Sequence, residues 1–209
     1  MSKFKNKYRI ESHRRPNWDY SANALYFLTI VTQHRVCNLG EIENNEMILS
    51  DFGNIVETEW HKSFDIRKEL FLDEFIIMPN HLHAIVEIDN PVDTPARAYQ
   101  QPPPQLPPPD VDTDGRPYSP IKRNPPIRLP KSISSFMAGF KSAVNSKIDD
   151  YIDEQRKNGR PSVSTKYNRN NHFFQPNYHD HIIRNEGEYQ RIKNYIINNP
   201  ANWGKDTLR

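Results

Sequence analysis

The sequence predicts an α+β fold, a ferredoxin-like (RRM-like) sandwich in which an antiparallel sheet packs against two helices, with a further helix at the C-terminal end. Three observations carry this. Two apolar, strand-like runs meet at a tight Pro79-Asn80 turn, the first ending Phe75-Ile76-Ile77-Met78 and the second reading His81-Leu82-His83-Ala84-Ile85-Val86-Glu87-Ile88. Two longer segments, one on each side of that pair, place their apolar residues at helical spacing. The order strand, helix, strand, strand, helix, weak strand then completes as β-α-β-β-α-β.

The elements follow in order. Residues 24–33, Ala-Leu-Tyr-Phe-Leu-Thr-Ile-Val-Thr-Gln, are rich in aromatic and β-branched types and read as a buried strand. From Ser50 to about Glu69, Phe52, Ile55, Val56, Glu59 and Trp60 recur at helical spacing behind Ser50, a good N-cap. Residues 70–78 and 81–89 form the strand pair. From Pro91 to Pro130 the composition changes: 13 of the chain's 18 prolines fall there, including Pro102-Pro103-Pro104 and Pro107-Pro108-Pro109. Such a run favours polyproline II and cannot join a sheet. It reads as a disordered insertion within one domain spanning 1–209, or as a docking segment for a proline-binding partner. Ser132 to about Glu154 is helical, with Ile133, Phe136, Met137, Phe140, Val144 and Ile148 along one side. Residues 155–171 are polar and loop-like. The fourth strand has to come from 172–184, where nothing alternates cleanly. The last helix runs from about Glu186 to Asn199 and stops at Pro200.

The bulk numbers narrow the function classes. With 28 Lys and Arg against 26 Asp and Glu, the net charge of +2 permits nucleic-acid binding without demanding it. The basic residues are uneven, with Lys3, Lys5, Lys7, Arg9, Arg14 and Arg15 crowded near the start. Cys37 is the only cysteine, which excludes an intrachain disulfide and a multi-thiolate zinc site. No apolar segment follows the basic N-terminal stretch and none is long enough to span a bilayer, so a soluble cytoplasmic protein without membrane contact is expected.

Residues two apart in a strand share a face, so His81 and His83 project together from a rigid sheet. Two imidazoles side by side suit a divalent metal, though a pair on an open face also reads as polar surface. A catalytic site needs a further protein ligand, and neither histidine sits in the signature of a zinc protease, a deaminase or a zinc finger. Tyr195 and Asn199 lie one turn apart on the last helix. Packed on the sheet, that face would bring a phenol and an amide oxygen to the imidazoles; alternatively Tyr195 joins Ile192 and Ile196 in the core. The four groups make a coherent set for one reaction, in which a metal polarises a phosphodiester and tyrosine attacks phosphorus. Tyrosine is only about 0.1% ionised at pH 7, so a nearby cation would help.

Pro79-Asn80-His81-Leu82-His83 resembles the histidine-hydrophobic-histidine (HUH) motif of single-tyrosine transposases. The block from Phe174-Gln175-Pro176-Asn177-Tyr178-His179-Asp180-His181-Ile182-Ile183-Arg184-Asn185 to Tyr195-Ile196-Ile197-Asn198-Asn199-Pro200 is similar to the REP-associated branch (RAYT) of that family. The resemblance covers roughly residues 8–90 and 131–203. It implies that Tyr195 is the nucleophile, that His81 and His83 are metal ligands, and that Asn199 stands where the family places its next ligand. It implies Mg²⁺ or Mn²⁺ as cofactor and single-stranded DNA beside REP-like hairpins as substrate. The expected product is a 5′-phosphotyrosine with a free 3′-OH. The 91–130 insertion is longer than the family needs there.

Softer candidates remain. Arg184, beside His179, Asp180 and His181, would grip DNA or position the last helix; His181 would be an extra metal ligand, support the metal site from outside its ligand sphere, or contact DNA. Arg14 and Arg15 next to Trp18 and Tyr20 offer charge beside stacking surfaces, and Lys141 offers a phosphate contact. A non-catalytic single-stranded nucleic-acid-binding module and a metal phosphodiesterase that uses water are the alternatives, and both a monomer and a homodimer are compatible with the sequence.

Overall fold

A computed structural model describes residues 3–4, 7–8, 18–90, 129–159 and 172–209. The proline-rich stretch over 91–128 and the pair Arg14 and Arg15 lie outside the described residues. A short antiparallel pair, β1 (Lys3–Phe4) with β2 (Lys7–Tyr8), precedes the main body.

The aromatic and β-branched run forms β3 (Ala24–Val31). It is followed by a hairpin that sequence patterning did not single out, β4 (Gly40–Glu43) with β5 (Glu46–Leu49). Asn44 and Asn45 turn it, both at positive φ (50° and 65°), the backbone a tight two-residue hairpin requires and asparagine tolerates. Gly40 opens the hairpin at φ 146°, where a Cβ would meet the Ile48 carbonyl at 2.0 Å. Ser50 caps α1 (Asp51–Ile66) as expected, its Oγ accepting from Gly53 N–H at 3.1 Å.

Next come β6 (Leu70–Met78) and β7 (His81–Ile88), joined at Pro79-Asn80. The second long helix, α2 (Ile133–Lys157), starts at a capping box between Ser132 and Ser135 and outruns the expected end at Glu154. The weak strand exists: β8 (His179–Ile183). The last helix, α3 (Glu186–Ile197), gives way at Asn199-Pro200 to a 3-10 stretch over Pro200–Lys205, so the chain coils on past the expected stop.

The four-stranded sheet has the order β6-β7-β3-β8, every neighbouring pair antiparallel. This is the strand order a β-α-β-β-α-β unit produces, and it bears out the ferredoxin-like prediction. One face packs on α1 and α2. Trp60 joins these layers, its ring stacked on Phe75 at 5.2 Å and meeting Phe136 at 5.2 Å and Phe140 at 5.0 Å. On the other face α3 buries Ile192 and Ile196 against Ile85 and Ile183. Helices on both faces explain why β7 reads as a nearly continuous apolar run, buried from His81 to Val86. No helix among the described residues is long and apolar enough to cross a membrane.

Candidate active site

β7 lies inside the sheet, so its side chains are held from both sides. His81 pairs with Met78 and Val31, and His83 pairs with Ile76 and Thr29. Both rings are buried on the face that carries α3, with centroids 4.5 Å apart. At His81 the surroundings fix the tautomer. The Asn80 amide donates through Nδ2 to the carbonyls of Leu208 (2.7 Å) and Arg35 (3.3 Å), so its Oδ1 is the atom that faces His81 Nδ1 at 2.7 Å. Nδ1–H therefore donates, and Nε2 keeps its lone pair.

That lone pair points at Asp206 Oδ2, 3.6 Å away, and neither atom has a hydrogen-bond partner. The other oxygen, Asp206 Oδ1, accepts from Leu208 N–H at 2.7 Å. Two buried acceptors facing each other call for a proton or a cation between them. A proton does not serve at neutral pH. Burial pushes the His81 pKa down to about 4, even though the Asp206 carboxylate pulls it up. His83 is held well below the ordinary histidine range, first by burial and then by the imidazoles of His81 and His179. Neutral imidazoles beside a carboxylate are instead the donor set of a divalent cation. Among the described residues, His81, His83 and Asp206 form a group with ligand atoms all within 4.8 Å of one another. Asn199 Oδ1, one turn beyond Tyr195, is likewise buried without a partner. The residues present thus fit a metal ion.

Tyr195 Oη lies 3.1 Å from His83 Nε2, while His83 Nδ1 lies 2.8 Å from Thr29 Oγ1. Phe27 stacks on the His83 ring at 5.3 Å and meets Tyr195 edge-on at 6.2 Å, which fixes the phenol from below. Tyr195 is still 46% exposed, so one side of its ring is open to a substrate. Burial raises its pKa above the usual tyrosine range, the Asn199 side chain opposes that, and the Asp206 carboxylate adds to it. Left alone, the phenol stays protonated.

The helix that carries Tyr195 is pinned along both flanks. Asn185 caps it, accepting from Glu188 N–H at 2.9 Å. On the β6 side Lys193 Nζ meets Asp73 Oδ1 at 3.0 Å and Glu74 Oε2 at 3.7 Å. The ladder between β6 and β7 shifts register between Leu72 and Glu74, placing Asp73 at the irregularity. On the β8 side Glu188 Oε1 pairs with His181 Nε2 at 2.8 Å, and Oε2 accepts from Arg184 N–H at 2.9 Å.

The structure therefore brings His81, His83, Tyr195 and Asn199 to one place. His181 stands outside the metal-capable group, tied to Glu188, and Arg184 is exposed at the end of β8. Lys141 is turned inward, donating to the carbonyls of Gln175 (2.8 Å), Asn177 (3.2 Å) and Pro176 (3.4 Å). Trp18 and Tyr20 both pack against the α1–α2 core. Tyr20 is buried, and Trp18 packs on the same core with its Nε1–H donating to Tyr26 Oη at 3.1 Å. Asp206 was missed in the sequence because it sits beyond the last helix, in no periodic pattern.

No family model matches the chain. Its fold is similar to that of a REP-associated tyrosine transposase solved bound to a REP hairpin, with a TM-score of 0.50 at 15% identity over 93% of this chain and 75% of that one. The chain thus shares its fold with that transposase. An uncharacterized protein of Haemophilus influenzae is 31% identical over 207 residues, 97% of each chain. The chain belongs to the same family as that Haemophilus protein.

Proposed function

We propose that the protein is a metal-dependent transposase or endonuclease that cleaves and rejoins single-stranded DNA beside hairpins, with Tyr195 as nucleophile. The observation that carries this is Tyr195 Oη at 3.1 Å from His83 Nε2, in a pocket where the facing atoms His81 Nε2 and Asp206 Oδ2 lack partners. A divalent cation, Mg²⁺ or Mn²⁺, would be held by His81, His83 and Asp206 with Asn199, and would supply Lewis-acid charge stabilisation at the phosphate.

The remaining chemistry belongs to the chain. Tyr195 Oη forms the new bond to phosphorus and loses its proton, the bond from phosphorus to the 3′ oxygen breaks, and that oxygen leaves as a hydroxyl after gaining a proton. The product, a phosphodiester between Tyr195 and the 5′ end, keeps the linkage of the broken strand. Attack by another 3′-OH reverses the step and joins strands without an external energy source. Thr29 orients His83, Asn80 orients His81, and Phe27 seats the phenol, so the groups are preorganised before substrate arrives. The position of α3 also speaks against an RNA-recognition module, since it covers the sheet face such modules leave open.

The test is a denaturing gel of protein mixed with labelled single-stranded DNA from the gene's flanks, with and without Mn²⁺. A shifted band that needs both the metal and Tyr195 supports the proposal. Cleavage without an adduct would instead assign the site to water-using phosphodiesterase chemistry.

A further inference from the structure

The sheet register sets out a row that the catalytic set uses only in part. His83 pairs with Thr29, and Thr29 pairs with His179 on the edge strand β8. Directly paired residues of antiparallel strands project to the same face, so His83, Thr29 and His179 line up across it. Two inter-strand spacings put His179 roughly 10 Å from His83. Of the four described histidines on this face, His181 is paired with Glu188 of α3, and the other three differ in state. His81 and His83 are buried and engaged, whereas His179 is exposed and has no hydrogen-bond or ion-pair partner among the described residues.

Among the described residues, two approaches to Tyr195 are flanked by other parts of the chain. Towards β6, α3 is clamped down by Lys193 on Asp73 and Glu74. Towards His81, the segment Pro200–Arg209 lies over the site, with Trp203 6.1 Å from the His81 ring and the Leu208 carbonyl held by Asn80. On the β8 side the corresponding clamp, Glu188 on His181 and Arg184, begins two residues further along the chain from His179, and among the described residues charge beside His179 favours a polyanion. His179, His181, Arg184 and Arg191 follow one another along it; of the carboxylates there, Glu188 is already paired with His181 and, at 3.6 Å, with Arg191, Glu186 accepts from Gln190, and Asp180 belongs to the opposite face of β8. The β6 side instead presents Asp73 and Glu74.

Building on the proposed function, we propose that His179 binds a backbone phosphate next to the scissile one, so that the unpaired strand leaves Tyr195 over the β8 edge. An imidazole N–H donates to a phosphate oxygen whether or not the ring is charged, and the spacing lets neighbouring phosphates of one strand meet both ends of the row.

The experiment uses the full chain and a fluorescein-labelled single-stranded oligonucleotide from the gene's flanks, native or carrying one neutral methylphosphonate at each position in turn. Anisotropy gives Kd, and gel kinetics with Mn²⁺ give kcat and KM. His179→Ala should weaken binding about tenfold, the worth of one charge-assisted contact, with KM rising more than kcat falls. His179→Arg should restore binding. One methylphosphonate position should weaken the native protein yet leave His179→Ala unaffected, a coincidence that a structural defect would not produce. Native-like binding by His179→Ala, or the same methylphosphonate profile in both proteins, would overturn the proposal. If the native protein forms no adduct but the profiles still differ at one position, the nuclease reading falls and the phosphate contact stands.

Discussion

Replacing Asp206 by Asn should act in opposite directions on the apo protein and on the metal complex. In the apo protein Asp206 Oδ2 faces His81 Nε2 at 3.6 Å, two buried acceptors with no proton between them. Asparagine can keep Oδ1 on the Leu208 N–H, now 2.7 Å away, and turn Nδ2–H towards the His81 lone pair. That replaces two unsatisfied atoms with one hydrogen bond, a gain of about 1 kcal/mol. In a chain of this length the gain raises Tm by roughly 2–4 °C in the presence of a chelator. The metal complex loses a full ligand charge. At an effective dielectric of about 20, a unit charge pair at about 4 Å is worth about 4 kcal/mol, and retaining even a third of that means at least a tenfold loss of affinity. Differential scanning fluorimetry with chelator, then with Mn²⁺ titrated in, reads both effects on one sample. A lower apo Tm with an unchanged Mn²⁺-induced rise would show that Asp206 is a structural acceptor and refute the metal assignment.

Three further outcomes follow from other parts of the molecule. Because the folded-state pKa of His81 is depressed from 6.5 to about 4, its contribution is fully present above pH 6.5 and is lost as pH falls through about 4. Urea unfolding in chelator should therefore show stability dropping by on the order of 3 kcal/mol across that window, and a flat profile would contradict the buried neutral ring. Gly53→Ala would gain helix propensity but place Cβ 2.1 Å from the Leu39 carbonyl oxygen, so thermal melts should show a net loss of about 2 kcal/mol, and unchanged stability would mean α1 can slide. Lys141→Met removes the donor to three carbonyls and should cost about 1–2 kcal/mol. An unchanged Tm with a shallower salt dependence of DNA binding would instead make Lys141 the phosphate contact expected from the sequence.

The elements that the sequence revealed best are those where one physical demand dominates. The Ser50 cap, the Trp60 and Phe136–Phe140 stripes and the Pro79-Asn80 turn all state their structure locally. The fourth strand did not, because β8 buries Ile182 into the α1–α2 side and Ile183 under α3, and a strand covered on both faces near its end does not alternate. Lys141 was read as a surface charge because nothing local says that residues 175–177, thirty-odd positions on, bring three carbonyls to it. In the site, the two histidines, Tyr195 and Asn199 were legible because strand period and helix period each place a pair on one face. Asp206 depends on the path of the chain after Pro200, which no periodicity encodes. His179 was quoted in the motif but carried no role until the register with Thr29 placed it on the row of His83.

The most direct measurement of the central claim is to locate the covalent bond. Protein incubated with single-stranded DNA and Mn²⁺ would be digested with nuclease and trypsin, and the peptide Asn194–Lys205, which contains Tyr195, analysed by mass spectrometry. A nucleotide esterified through its 5′ phosphate to Tyr195, absent without metal and absent in Tyr195→Phe, is the expected product. Cleaved DNA with that peptide unmodified, or a nucleotide found on another residue, would contradict it.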